Sequence, residues 1–410
     1  MNIIDTISGA VNLFIYEYNH KRYYFFGDFH VTRKNSCYDK GIQCDAFNYN
    51  FTNTTNANTS CTTIGALLHN WFIYNNINHI KTDFYLEEYY TKEPEREEDQ
   101  EYINIIKNRS TVNTRQGAPF KEKSWMQLLP YIMSPCFIPN KSLCPYAPNV
   151  HLHYIDVRTI VIKNDIVNIT PFSIESILIY MIEHQPTTIG EFIKIRKEMD
   201  TVIDFSIDNF KTLLHYLLSN QIDAYKQALL STNSLYISEQ INYIDYFTFN
   251  GVFKIAHELQ RLQLSFPEMH DRLLAYIDKV IDNIMLKVER YRESIKQSIT
   301  KYNILKKRKV LHIMGLRHLY EDYIKIINGY QLIFVNLEAI LMDIYTLSRM
   351  FIQDGDEVIV YAGAYHTKIY QQFFDDFATP LLIIPYTKGT NCLTHPDIPK
   401  YIEANKFKNF

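Results

Sequence analysis

The chain has 410 residues and a formal charge of −3, with 42 basic against 45 acidic side chains. That length can bury a large core as one big domain or two, and the balanced charge argues against a nucleic-acid surface, which needs a basic excess. No apolar run approaches the roughly 20 residues of a membrane-spanning helix. Met1-Asn2-Ile3-Ile4-Asp5 also lacks the basic stretch and apolar run of a secretory signal, so a soluble, intracellular protein is expected.

Tyr (32) and Phe (25) are abundant and Gly (12) is scarce. With Asn and Ile, the favoured residues have AT-rich codons, which points to the genome of a parasite, symbiont or large virus. The six cysteines, Cys37, Cys44, Cys61, Cys136, Cys144 and Cys392, contain no Cys-x-x-Cys pair. They make neither a disulfide scaffold nor a zinc finger, and reduced thiols or a staple between Cys37 and Cys44 are expected. The glycosylation sequons at Asn50, Asn53 and Asn58 lie in an Asn/Thr-rich stretch and, without a signal peptide, read as chance.

In chain order, residues 11–19 and 22–28 read as two strands joined by a turn at Asn19-His20-Lys21. A long polar loop follows over 32–60; loops of that length are covers or disordered. A helix is predicted from Thr62 to about Asn76, with Leu67, Leu68, Trp71, Phe72 and Ile73 on its buried side. Thr82-Asp83-Phe84-Tyr85-Leu86 reads as a buried strand ending in Glu87-Glu88. The acidic run from Glu93 to Asp99 reads as a solvated helix start. A helix over 123–133 and a Pro/Cys-rich loop over 135–148 precede a strand at 151–158.

From about 172 to 352 the chain reads as mainly helical. The clearest stretch is 268–300, where Leu273, Ile277, Val280, Ile284 and Val288 recur at helical spacing. The basic run Lys306-Lys307-Arg308-Lys309 is expected to break it as a solvated turn. A strand at 357–362, a helix from near Thr367 and a strand at 381–385 close the chain. The expected fold is α/β or α+β: a mixed sheet built from segments at about 11–160 and 355–390, with a large helical insertion, all in one domain.

Two short motifs could carry chemistry. Gly27-Asp28-Phe29-His30 follows the apolar run from Tyr23 to Phe26, and Gly363-Ala364-Tyr365-His366 follows Val358 to Ala362. A strand end holds a side chain rigidly while leaving its tip open to a ligand. Histidine there can ligate a metal or move a proton near neutral pH. Asp28 adds a carboxylate beside His30, which could fix a tautomer or share a metal. Two such motifs over three hundred residues apart point to one pocket assembled from both ends of the chain.

Further candidates lie between the motifs. One of Glu87 and Glu88 should reach the pocket as ligand or base, because adjacent strand residues face opposite ways. On the strand at 151–158, His151 and His153 share one face, while Tyr154, Asp156 and Arg158 share the other. His151 and His153 read as structural, with zinc a weak alternative. Asp156 and Arg158 are either pocket residues or a local ion pair. The apolar helix over 331–351 carries Asn336, Glu338, Asp343 and Arg349. A buried charge must be paired or reach a polar cavity, which leaves Asp343 and Arg349 as structural pairs or pocket groups.

These features together resemble the TraB/TIKI superfamily, with erythromycin-esterase-like and ChaN-like relatives. The resemblance rests on the hairpin from Leu13 to His30, the acidic strand end, an Arg-bearing helix and the second Gly-x-x-His motif. Asp343-Ile344-Tyr345, Ser348-Arg349-Met350 and Tyr361 to His366 are similar to uncharacterised proteins of large DNA viruses. The resemblance covers about a third of the chain, at its ends. It implies metal-assisted hydrolysis of an amide or ester bond, with manganese or cobalt in some members. By position it places His30 and His366 as metal ligands and Glu87 or Glu88 as the acidic group; Asp28 departs from the family pattern and adds a carboxylate that could strengthen metal binding or replace another ligand. Arg349 matches the family arginine, with Arg158 or Arg317 as substitutes. The alternative is a non-catalytic viral protein that keeps the fold for structural or partner-binding use. The expected substrate is a peptide or an ester, with no nucleic-acid partner, in host cytoplasm or virion.

Overall fold

The computed structural model describes residues 6–29, 61–89, 129, 143–144, 147–156, 190–191, 193–194, 197, 208, 211–219, 221, 254–307, 329, 336, 339–386 and 392–402. The chain divides into two units, Met1–Asp156 with Met350–Phe410, and Val157–Arg349. The first is α/β and the second, where described, is helical, so the mixed α/β class holds.

The first unit opens with a short strand, β1 (Thr6–Ser8), and the hairpin of β2 (Asn12–Tyr18) and β3 (Lys21–Asp28). Asn19 (φ 49°) and His20 (φ 65°) make its turn; two left-handed residues give a turn whose twist matches the strands it joins. Next come β4 (Cys61–Thr63), helix α1 (Ile64–Ile77), β5 (Thr82–Tyr89), β6 (Leu143–Cys144) and β7 (Ala147–Asp156). Thr63 caps α1, its hydroxyl accepting from the Ala66 amide at 3.2 Å. Ahead of the closing segment, the second unit contributes α2 (Pro267–Lys307). The segment itself supplies β8 (Glu357–Gly363), α3 (Ala364–Phe374), β9 (Thr379–Ile384), β10 (Cys392–Thr394) and α4 (Ile398–Tyr401).

Among the described residues, seven strands form one sheet in the order β6-β7-β5-β8-β3-β2-β9. The inner pairs β7·β5, β5·β8 and β8·β3 are parallel, and the flanking pairs are antiparallel. Strand β8, from the far end of the chain, is thus inserted between β5 and β3. All seven of its residues are buried, which is why it reads as a continuous apolar run rather than an alternating one.

Each face of the sheet has its own cover. On one, Trp71 of α1 packs edge-on against Tyr24 at 4.7 Å between ring centres and against Phe26 at 6.4 Å. On the other, Phe374 of α3 meets Tyr16, Tyr23 and Phe25 at 4.8–5.5 Å. The alternation of Tyr23 and Phe25 with Tyr24 and Phe26 distributes these rings to the two faces. Glu357, at the start of β8, is buried on the α1 side. It accepts from Trp71 Nε1 and Asn75 Nδ2, each at 2.7 Å, so the desolvated charge is hydrogen-bonded.

A separate sheet of β10, β1 and β4 has three-residue strands, too short to leave a periodic signal, and the sequence did not predict it. Cys392 of β10 is disulfide-bonded, against the expectation of reduced thiols. Helix α3 starts at Ala364 rather than near Thr367, because Gly363 (φ −55°, ψ 145°) turns strand directly into helix with no intervening loop.

In the second unit, α2 buries Leu273, Ile277, Ile284 and Val288, four of the five residues its spacing selected, and leaves the fifth, Val280, half-buried. It continues through Lys306 and Lys307, so these do not break the helix. Residues 339–349 are helical too. Of the predicted loop over 135–148, residues 143–144 form β6 and 147–148 open β7, which starts four residues before the predicted strand at 151; the rest of that loop, the predicted loop at 32–60 and the acidic run lie outside the described residues. Among the described residues, no helix is long and apolar enough to cross a membrane.

Candidate functional site at the carboxyl edge of the sheet

Parallel strands bring their carboxyl ends to one edge, and open α/β sheets bind ligands there. Across the sheet, β7 ends at Asp156, β5 carries Glu87 near its end, β8 ends at Gly363, and β3 ends at Asp28. Asp28 and Gly363 are register partners, so β3 and β8 end side by side at the points where the two Gly-x-x-His motifs begin.

Glu87 owes its direction to an irregularity. The pairing of β5 with β7 runs in step to Leu86↔Tyr154 and resumes at Tyr89↔Asp156, so Glu87 and Glu88 together oppose Ile155. Such a bulge re-aims side chains and is common beside active sites. The pairing of β5 with β8 also stops at Leu86↔Tyr361. Beyond it, Glu87 turns its carboxylate onto the exit of β8: Oε2 accepts from the Gly363 amide at 2.6 Å, and Oε1 lies 3.6 Å from His366 Nε2. Of the two acidic candidates, Glu87 is the one placed at the second motif. The Glu88 side chain lies outside the described residues.

His366 occupies the first turn of α3 and is 5% exposed; Glu87 is 8% exposed. The positive end of the helix dipole faces this edge and favours negative charge there. The Tyr365 ring, exposed, lies 5.8 Å from the His366 ring. Asp28 is buried beside Tyr361, whose hydroxyl donates to the Gly9 carbonyl at 2.5 Å. Burial, with Asp28 beside it, pushes the Tyr361 phenol far above its ordinary range.

The remaining candidates divide. Asp156 is buried at the end of β7. His151 and His153 share a face, as alternation predicts, and both turn to Asp83: His153 Nε2 lies 2.8 Å and His151 Nδ1 3.5 Å from its Oδ1. Asp83 Oδ2 also accepts from the Gly355 amide at 2.9 Å, and His153 stacks on Tyr85 at 4.5 Å. In the second unit, Asp343 is buried, while Arg349 donates to the Tyr345 hydroxyl at 2.6 Å and lies 3.5 Å from buried Glu258. His30, Arg158 and Arg317 lie outside the described residues. Among the described residues, no group of three or more His, Cys, Asp or Glu side chains could hold a metal ion. Asp28, His366 and Glu87 therefore do not make a cation site by themselves.

Sequence reasoning missed four groups here: Asp83, Tyr361, Asn12 and Thr367. Asp83 did leave a signal, an acid inside the apolar strand from Thr82 to Leu86, because such a charge must be paired. Tyr361 sits inside the apolar run of β8, where nothing local sets it apart from its neighbours. Asn12 and Thr367 are single polar residues at element starts, where polar side chains are ordinary.

Comparison of the chain with protein-family models, with curated proteins and with solved structures finds no match.

Proposed function

We propose that the first unit is a hydrolase of the TraB/TIKI type that cleaves an amide or ester bond at the carboxyl edge of its sheet. The observation that carries this reading is the convergence of Glu87 and His366, from distant parts of the chain, onto the exit of β8. His366 takes a proton from the attacking water. Glu87, anchored by the Gly363 amide, faces Nε2 and stabilises the imidazolium that forms. Negative charge developing on the carbonyl oxygen is stabilised by the amino-terminal dipole of α3. His366 then returns its proton to the leaving amine or alkoxide.

The resemblance also implies a manganese or cobalt ion. Such an ion would polarise the carbonyl, but the described residues supply fewer than three ligands for it. Arg349 already faces Glu258 and Tyr345, which favours a structural task for it over charge stabilisation in catalysis.

A second reading, a non-catalytic protein that keeps this fold for packing or partner binding, is favoured by the burial of both Glu87 and His366. Hydrolysis of nitrophenyl esters and nitroanilides by purified protein separates the two. The hydrolase reading expects turnover that drops about a hundredfold or more in Glu87→Gln and in His366→Ala. The alternative expects no turnover above those variants.

A further inference from the structure

The second histidine motif is held in place from the first hairpin. Asn12, at the start of β2, is 2% exposed and Thr367, in the first turn of α3, is fully buried. Asn12 Nδ2 donates to the Ala364 carbonyl at 3.4 Å. The Thr367 hydroxyl donates to Asn12 Oδ1 at 3.0 Å and lies 3.2 Å from the same carbonyl. Ala364 and Thr367 flank His366 on both sides in sequence, so this closed set of contacts grips the turn that carries the imidazole.

Gly27 lies directly beneath. It is the register partner of Asn12 on one side and of Ala362 on the other. A Cβ at this position would stand 2.1 Å from Asn12 Oδ1 and 2.6 Å from Thr367 Oγ1. No atoms approach that closely without displacement, and both are short side chains held by hydrogen bonds. The glycine of the first Gly-x-x-His motif therefore makes room for the contacts that fix the histidine of the second.

We infer that Asn12 and Thr367 are positioning residues for His366, and that Gly27 is glycine because only a hydrogen leaves space for them. The inference deepens the hydrolase reading and rests on it for its catalytic meaning. The placement of His366 is measurable without turnover.

The test uses full-length protein with Thr367→Val, Thr367→Ser, Asn12→Ala and, as a control in the same helix, Ile369→Val. Val matches Thr in shape without its hydroxyl, and Ser restores the hydroxyl. Two readouts apply: the imidazole NMR signals of His366, and kcat and KM on the nitrophenyl ester. The expected result is shifted His366 signals in Thr367→Val and Asn12→Ala, with kcat lowered about tenfold or more and KM little changed. Thr367→Ser and Ile369→Val should keep wild-type signals. Unshifted signals in both Thr367→Val and Asn12→Ala would overturn the inference, as would equal shifts in the Ile369→Val control. If the wild-type protein proves inactive, the hydrolase reading fails while the NMR comparison still decides the positioning.

Discussion

Glu87 bridges the exit of β8, with one carboxylate oxygen on the Gly363 amide at 2.6 Å and the other 3.6 Å from Nε2 of His366. Both groups are buried at the edge where parallel strands present ligand sites. The pair depends on a strand from the end of the chain entering the sheet beside β5, and on the bulge that turns Glu87 toward it.

If Glu87 acts through this contact, its charge matters and its shape alone does not suffice. Glu87→Gln keeps an acceptor for the Gly363 amide but loses the anion beside the imidazole. Its unfolding midpoint in urea should stay near wild type, while kcat/KM for ester hydrolysis falls about a hundredfold. A midpoint lowered as far as by a core truncation, with kcat/KM retained, would make Glu87 a structural residue.

Gly27→Ala should destabilise the protein by about 1–3 kcal/mol, the range for overpacking a filled site. The cause is contact with Asn12 and Thr367. Combining Gly27→Ala with Asn12→Ala should recover part of that loss, because the second change removes the nearest clashing atoms. Urea denaturation of the two single variants and the double variant measures the coupling.

The buried carboxylate of Glu357 depends on Trp71 and Asn75. Trp71→Phe keeps an aromatic ring against Tyr24 but removes the indole donor. A hydrogen bond to a buried charge contributes about 1.5–3 kcal/mol, so chemical denaturation should show a loss of at least that size. The Phe variant, placed in a Glu357→Gln background, should cost less, since the neutral amide needs the donor less.

Stability should fall at both ends of the pH scale. Burial holds the His69 imidazole below its ordinary 6.5. Between that lowered value and 6.5 the unfolded chain binds a proton that the folded chain does not, so stability drops as pH falls through this window. At the other end, burial raises the phenols of Tyr16, Tyr23 and Tyr361, helped by Asp375 at Tyr16 and by Asp28 at Tyr361. The unfolded chain gives up these protons near pH 10 and the fold retains them, so stability declines above about pH 10. Urea midpoints measured across the pH range should trace both declines, and His69→Gln should flatten the acid one alone.

Much of the first unit was legible because its signals are local. The hairpin announces itself by dense β-forming residues on either side of Asn19-His20, and in the second unit α2 does so by apolar residues at helical spacing. The neighbours of β8 were not legible. Which strand lies beside it is decided by the order of strands in the sheet, a contact across more than 250 residues for β5. Alternation left Glu87 and Glu88 both open for a related reason: it holds only while pairing stays in step, and the bulge opposite Ile155 breaks that step. The role of Gly27 was half visible. A glycine lets other atoms approach closely, but the atoms that do so here, on Asn12 and Thr367, come from the neighbouring strand and from α3.

A double-mutant cycle on kcat/KM for ester hydrolysis, with Glu87→Gln, His366→Gln and the double variant, tests the central claim most directly. Groups that act as one catalytic unit lose most of the rate when either is removed, so the double variant should be no slower than the slower single variant. A wild-type rate no higher than that of the double variant, or losses that simply multiply, would contradict a joint catalytic role for Glu87 and His366.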